Sequence, residues 1–284
     1  MRISSSNSEL PSFGLFDSVC TSGLSVVRPL SDAARERDSF GWNYGSCLPP
    51  SYFAYGRMRA LFAVAQALSL QPKRVLEVAA GDAALSAVLA GAGCEVYAND
   101  LRSEQIEDAL ASFTNAERIQ LLPGDLFQLE PAKTGLFDLV VACEVIEHVA
   151  HTVEFLCQLK RFLTADGKLL ITTPNGAYFH NKLPTHSQIT DFQSLEAQQF
   201  KPDADGHLFL ITPFELTELA VQAGLKVQHT CLWASPFITG HCGLRMLSSK
   251  SLRRGYYALE TLIQSLPFAV RKKVCFALSV VLSK

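Results

Sequence analysis

The stretch from Arg74 to Leu101, RVLEVAAGDAALSAVLAGAGCEVYANDL, narrows the choice of folds more than any other part of this chain. It is written as a short strand, a turn of small residues, a helix and a second strand that ends on an acid. Val75, Leu76 and Val78 make the apolar run of a strand buried on both faces, interrupted by Glu77 near its end. Ala79, Ala80, Gly81 and Ala83 then allow a sharp turn and a close approach of a ligand to the main chain, while the following helix aims unpaired N–H groups at that ligand. Asp100, roughly 20 residues on, sits where a carboxylate accepts hydrogen bonds from ribose hydroxyls. The reading is an α/β fold with a nucleotide-type cofactor at the carboxyl edge of parallel strands.

The glycine pattern selects among cofactors. A dinucleotide site presents G-x-G-x-x-G, because a pyrophosphate needs bare backbone N–H groups against it. This chain has E-x-A-x-G-x-A, from Glu77 through Ala79 and Gly81 to Ala83. The pattern resembles motif I of class I S-adenosylmethionine-dependent methyltransferases, usually E/D-x-G-x-G-x-G, with two glycines replaced by alanine. Alanine disfavours positive φ, so the turn must either avoid the left-handed region at 79 and 83 or carry slight strain. Further blocks follow in the order of that family: LLPGDLFQL with Gly124, Asp125 and Leu126 after a third strand, FDLVVACEVIEHV from Phe137 to Val149, an amphipathic helix from Val153 to Leu163 closed by Asp166-Gly167, and a fifth strand from Lys168 to Thr173. The resemblance covers residues 51 to about 247. It implies a doubly wound, mostly parallel seven-stranded Rossmann-like sheet with helical additions at both ends. It also implies S-adenosyl-L-methionine held by Glu77, Ala79, Gly81, Asp100, Leu101, Asp125, Leu126 and Glu144, with Asp125 beside the adenine amino group. In similar enzymes the helix before the first strand, here Ser51 to Leu70 with Tyr52, Tyr55, Arg57 and Arg59, supplies a Tyr or Arg to the cofactor carboxylate.

The chemistry turns on Glu144, Glu147, His148 and His207. Positions 144, 147 and 148 are three and four apart, so a helical turn leaving the fourth strand would bring them to one face. Two carboxylates and an imidazole, with His207 from a later loop, suit a divalent ion such as Mg²⁺ or Mn²⁺. The set resembles the E-x-x-E-H plus distal His of small-RNA 2′-O-methyltransferases and of some ubiquinone-biosynthesis O-methyltransferases, where the metal polarises the accepting hydroxyl. Without metal, His148 or His207 would serve as general base for a phenol or sugar hydroxyl. A third alternative makes the first Glu a cofactor-lining residue and His148 a helix-terminus group. The resulting expectation is O-methylation of a small-molecule or lipid-linked acceptor. A metal-dependent RNA 2′-O-methyltransferase and a non-catalytic cofactor-binding module are the alternatives.

Composition sets bounds. The net charge of −2 over 284 residues argues against a general nucleic-acid binder. Eight cysteines without a CxxC pair, among them Cys94, Cys143 and Cys157 in core-like segments, suit reduced thiols in a cytoplasmic protein, and MRISSSNSEL does not read as a secretory leader. Residues 1–50 are Ser-, Gly- and Pro-rich but carry Phe40, Trp42 and Tyr44, and are expected to pack over the domain or to form a lid. The polar stretch from Asn175 to Gly206 is too long for a plain connection and faces the acceptor. Thr212-Pro213-Phe214-Glu215 starts a helix with a capping box that stops at Ala223-Gly224, Lys226 to Cys231 is a sixth strand, and Gly243 to Leu247 would complete an antiparallel hairpin. Residues 248–284 read as a basic amphipathic helical tail. From Lys250 to Lys284 seven Lys or Arg stand against one Glu, a net +6 that leaves −8 on the other 249 residues. Such a tail would pack on the protein, meet a second subunit or lie on an anionic membrane surface. The oligomeric state stays open.

Overall fold

The computed structural model describes residues 10–22, 61–81, 83–101, 106–107, 110, 116–199, 206–235 and 250–284. The aromatic residues expected to form a lid (Phe40, Trp42, Tyr44), the first half of the helix before the first strand (Tyr52, Tyr55, Arg57, Arg59) and the segment from Gly243 to Leu247 lie outside them.

Seven strands form one sheet in the order β3-β2-β1-β4-β5-β7-β6. They are β1 (Arg74–Val78), β2 (Glu95–Asp100), β3 (Ile119–Pro123), β4 (Phe137–Cys143), β5 (Leu163–Pro174), β6 (Lys226–Trp233) and β7 (Ala277–Ser283). β1 to β5 pair in parallel, and β7 runs antiparallel between β5 and β6. Side chains alternate across the pleat. Val75, Leu139 and Leu170 therefore enter one core, and Leu76, Val140 and Leu169 the other.

Helices cover both faces, as a parallel sheet requires. On the first face lie α1 (Phe13–Ser22), α2 (61–69), α3 (Ala84–Gly91) and α6 (Lys250–Gln264). On the second lie α4 (Thr152–Arg161), α5 (Pro213–Gln222) and α7 (Phe268–Val274). α3, the crossover from β1 to β2, buries every residue from Ala84 to Ala90; its run of Ala, Leu and Val is apolar all round because it lies between the sheet and other elements. α4 buries Phe155, Leu156 and Leu159, four and three apart, on one stripe. Around α2, Phe62 stacks on Trp233 with ring centroids 4.5 Å apart and packs against Phe16 of α1 at 5.1 Å.

Three expectations change. Residues 277–283, read as part of a helical tail, are the strand that joins β5 to β6, so the sheet is completed from the C-terminal segment. Its seven residues are all buried, which a strand gripped on both sides and covered on both faces demands. α4 ends at Arg161 rather than at Asp166-Gly167, and β5 begins at Leu163, which pairs with Phe137 across a bulge. Cys157 is exposed rather than in the core. The sequence-stated capping box at Thr212 is present: Glu215 N–H donates to Thr212 Oγ1 at 3.2 Å, and Thr212 N–H to Glu215 Oε2 at 2.7 Å.

Candidate functional site

Parallel registers bring the ends of β1, β2, β4 and β5 to one edge: Val78 lies beside Asn99 and Ala142, Asp100 beside Pro123, and Cys143 beside Thr172. Strand order reverses between β1 and β4, and such a switch point opens a crevice at the carboxyl edge. The backbone there is unusual. Of the five non-glycine residues with positive φ among the described residues, Ala79 (54°), Ala83 (53°), Glu144 (57°) and Ala234 (61°) follow β1, β4 or β6 at this edge. A left-handed residue with a Cβ costs about 1 to 2 kcal/mol, and such conformations gather where a site needs a particular backbone path.

The first half of the crevice is the β1 turn. Ala79 adopts the left-handed conformation and its side chain is exposed, so its methyl leaves the turn open. Gly81 also has positive φ (58°), and a Cβ built there meets nothing within 4 Å. Gly81 N–H donates to Asp100 Oδ2 at 3.0 Å, which draws the acid at the end of β2 over the turn. Ala80 N–H donates to Asn99 O at 2.9 Å and secures the same approach. Glu77 is buried beneath the turn and accepts the Ser86 hydroxyl from the first turn of α3. Asn99, also buried, donates its amide to Leu122 O (2.7 Å) and Gly124 O (2.9 Å), which fixes the chain ahead of Asp125. Asp125 caps the next turn through Phe127 N–H at 2.9 Å. Leu101 is 51% exposed beside Asp100. Leu126 faces the core at 5% exposure, and Phe127 beside it is 47% exposed. The acids and small residues were legible in the sequence; the anchors Ser86 and Asn99 and the exposed Phe127 carried no motif.

The second half lies where β4 and β5 end. Of the expected set, Glu147 and His148 come together with His207, whereas Glu144 stands outside that group. Glu144 turns in the left-handed region and accepts the Thr172 hydroxyl at 2.9 Å. Ile146–His148 then form one 3₁₀ turn, where successive side chains point differently from those of an α-helix. Glu147 is fully buried and accepts the Thr173 hydroxyl at 2.9 Å through Oε2. Its Oε1 lies 3.8 Å from His207 Nε2, and Leu208 N–H donates to Glu147 O at 3.0 Å, which brings the later loop to the site. The His148 and His207 rings stand edge to face with centroids 5.0 Å apart. One donor atom from each of Glu147, His148 and His207 falls within 4.8 Å of the others. Thr172 and Thr173, consecutive on β5, thus hold the two glutamates apart, because side chains alternate along a strand.

Residues 175–199 pack over this half. Gln199 Oε1 accepts Ala150 N–H at 2.9 Å, and Glu196 pairs with His151 at the start of α4. His186 packs between Phe192 and Phe209, with centroids 4.8 and 5.0 Å away; burial holds it below the usual imidazole range, partly opposed by Glu215. It is therefore a packing group, set apart from the His148 and His207 pair.

Comparison with known proteins gives a consistent picture. The model of a family described as "Methyltransferase domain" matches residues 52–230, more than half of the chain. A ubiquinone biosynthesis O-methyltransferase of Xanthomonas oryzae pv. oryzae is 32% identical over 113 residues, covering 39% of this chain and 47% of that protein. One from Rickettsia prowazekii is 33% identical over 103 residues, covering 36% and 40%. The match thus spans about half, or less, of the length of these curated relatives. Among solved structures, the CcbJ methyltransferase from Streptomyces caelestis superposes with a TM-score of 0.52 at 14% identity, covering 83% of this chain and 96% of that one. The methyltransferase domain of bacterial CtHen1 gives a TM-score of 0.51 at 16% identity, covering 81% and 100%. At these identities the structures speak to the fold alone.

Proposed function

The chain belongs to the methyltransferase domain family, and from that premise we propose that it transfers a methyl group from S-adenosyl-L-methionine to a hydroxyl oxygen of a small-molecule or lipid-linked acceptor. The observation that carries the oxygen reading is the cluster of Glu147, His148 and His207 on the side of the crevice opposite the Asp100 turn. The β1 turn fits the cofactor: an exposed Ala79, an unobstructed Gly81 and the Asp100 carboxylate beside it leave room for an adenosyl group whose ribose hydroxyls Asp100 accepts. When bound, the cofactor supplies an electrophilic methyl on its sulfonium.

The protein's own part is alignment, exclusion of water and removal of one proton. His207, with His148 against it, would take the acceptor's hydroxyl proton and so ready the oxygen for the methyl group that the cofactor would supply. Buried Glu147 fixes the ring of His207 and carries a countercharge for the imidazolium that forms. His207→Ala should lower kcat by about 10² to 10⁴ and leave the cofactor's dissociation constant, measured by calorimetry, within about twofold of wild type. Formation of S-adenosylhomocysteine is followed across phenol, sugar and carboxylic acid acceptors. An unimpaired His207→Ala enzyme, or turnover confined to amines and carboxylates, would sink the hydroxyl reading.

A second reading rests on the same three donors. Two imidazole nitrogens and one carboxylate fit a divalent transition ion such as Mn²⁺ better than Mg²⁺, which prefers oxygen ligands. Glu144, bonded to Thr172, falls outside this set and is not needed for it. Glu147, His148 and His207 would hold the ion, which would acidify the acceptor hydroxyl. Activity that is lost on chelation and returns with Mn²⁺ favours this reading; indifference to chelators favours the metal-free base. An RNA acceptor is disfavoured, since the chain outside Lys250 to Lys284 carries −8 and offers no basic field for phosphates.

A further inference from the structure

Where β5 leaves the sheet, the chain and α7 are tied into one surface. Buried Asn175 donates its side-chain amide to Lys272 O (2.8 Å) and Cys275 O (2.7 Å), and Phe179 N–H donates to Lys273 O (3.0 Å). These bonds place Phe179 (61% exposed) beside the two lysines, and Leu183 (46%) and Phe214 (55%) are further exposed apolar side chains of the neighbouring segments. Phe214, Phe268, Lys272 and Lys273 share an open groove of about 460 Å³, whose floor includes Gly176. Gly176 is needed there, because a Cβ would lie 3.0 Å from the Ile211 carbonyl carbon. Among the described residues no acid lines the groove. Glu215, next to Phe214, is turned inward onto Ser187 N–H and Thr212 N–H. Glu260, the one acid between Lys250 and Lys284, is fully buried and accepts Ser235 N–H at 3.0 Å. Neither acid therefore stands in the groove beside Lys272 and Lys273.

We propose that this face, with Phe179, Leu183 and Phe214 as apolar tips and Lys272 and Lys273 beside them, docks the protein onto an anionic lipid bilayer. Protruding aromatic and aliphatic tips enter the headgroup boundary, and the lysines stay at the level of the phosphates, the arrangement of an interfacial anchor. Charge argues for this occupant over an apolar protein partner. Lys272 and Lys273 stand together on α7 while the chain outside Lys250 to Lys284 carries −8, so an anionic surface attracts this face more than the rest of the molecule. No helix among the described residues is long and apolar enough to cross a membrane.

The test is flotation of the full chain with vesicles of phosphatidylglycerol in phosphatidylcholine, against phosphatidylcholine alone. Cutting the chain at residue 247 would remove β7, so point variants are required. K272A/K273A leaves intact the bonds described above, which use only the carbonyls of these residues, and should lower partition onto the anionic vesicles about 20-fold. F179S/F214S should lower it at both low and moderate salt. Unaltered thermal unfolding and cofactor affinity establish that the variants are folded, so failure here is separate from failure of the catalytic reading. The proposal falls if wild type ignores the anionic vesicles or if K272A/K273A binds them as well as wild type. It also falls if glycerol phosphate at matched phosphate concentration displaces the protein, or if it binds immobilised polyglutamate and not vesicles.

Discussion

Ala79 and Ala83 stand where the family pattern has glycine, and both take the left-handed conformation that alanine resists. Their surroundings separate them. Ala83 is fully buried in the first-face core, so its methyl returns in packing part of what its backbone costs; Ala79 is exposed and its methyl contributes no comparable burial. Ala79→Gly should therefore raise stability by about 0.5 to 1 kcal/mol, the left-handed penalty less the added freedom of glycine in the unfolded chain. Ala83→Gly should give no such gain, because the lost burial cancels it. Urea midpoints of the two variants decide the matter, and a destabilised Ala79→Gly would show that the methyl at 79 has partners. The sequence made the choice between avoidance and strain visible at this turn but could not make it, since φ depends on how Asp100 and Asn99 close over the loop. The same limit separates Glu144 from Glu147. A spacing of three reads as one face only if the backbone is helical from 144 onward, and here a left-handed residue and a 3₁₀ turn intervene.

Elements with strong local signals were read from sequence nearly to the residue. Thr212-Pro213-Phe214-Glu215 is one: both bonds of the capping box form, and Pro213 occupies the first helical position, where its missing N–H costs nothing. What the sequence withheld is the tertiary use of Glu215, which also accepts Ser187 N–H at 2.9 Å and so clips residues 175–199 to α5. Burial by itself would raise this carboxyl, but its bonds from Ser187 and Thr212 outweigh that and hold it below the usual carboxylate range. A depressed folded value means that the stabilisation is complete above the unfolded pKa of about 4.3 and is lost as pH falls through the folded value. Glu215→Gln should cost about 1 to 2 kcal/mol at neutral pH, the loss of charge assistance on two backbone donors. That gap should persist to about pH 5 and close below about pH 4. Denaturant midpoints of both proteins across this range would show it, and a gap that is constant with pH would mean the cost lies in packing.

At the scale of the whole molecule, the parallel half of the sheet was legible because each strand is followed by its own helix and turn, whereas the antiparallel edge was not. Ala277–Ser283 pairs with β5 residues more than 100 positions earlier, and no local pattern announces a contact of that range. A short apolar run such as ALSVVLS is the kind that periodicity cannot assign to helix or strand. Its basic, amphipathic neighbours α6 and α7 drew the reading toward helix. The consequence is that a segment outside the 52–230 family match is indispensable to the fold. Leu278, Val280, Val281 and Leu282 are all buried, and at about 1.5 to 3 kcal/mol each their loss removes about 6 to 12 kcal/mol. That is comparable with the entire stability of a typical domain, about 5 to 15 kcal/mol, and it leaves the facing edges of β5 and β6 with unpaired backbone groups. A chain ending at Val274 should therefore fail to give a cooperative thermal transition by circular dichroism and should lose cofactor binding with it, since β5 carries Thr172 and Thr173 to the site. K272A/K273A, a few residues upstream, should melt like wild type, which isolates the effect to the strand. Cooperative unfolding of the shortened chain at an unchanged temperature would contradict the placement of β7 inside the sheet.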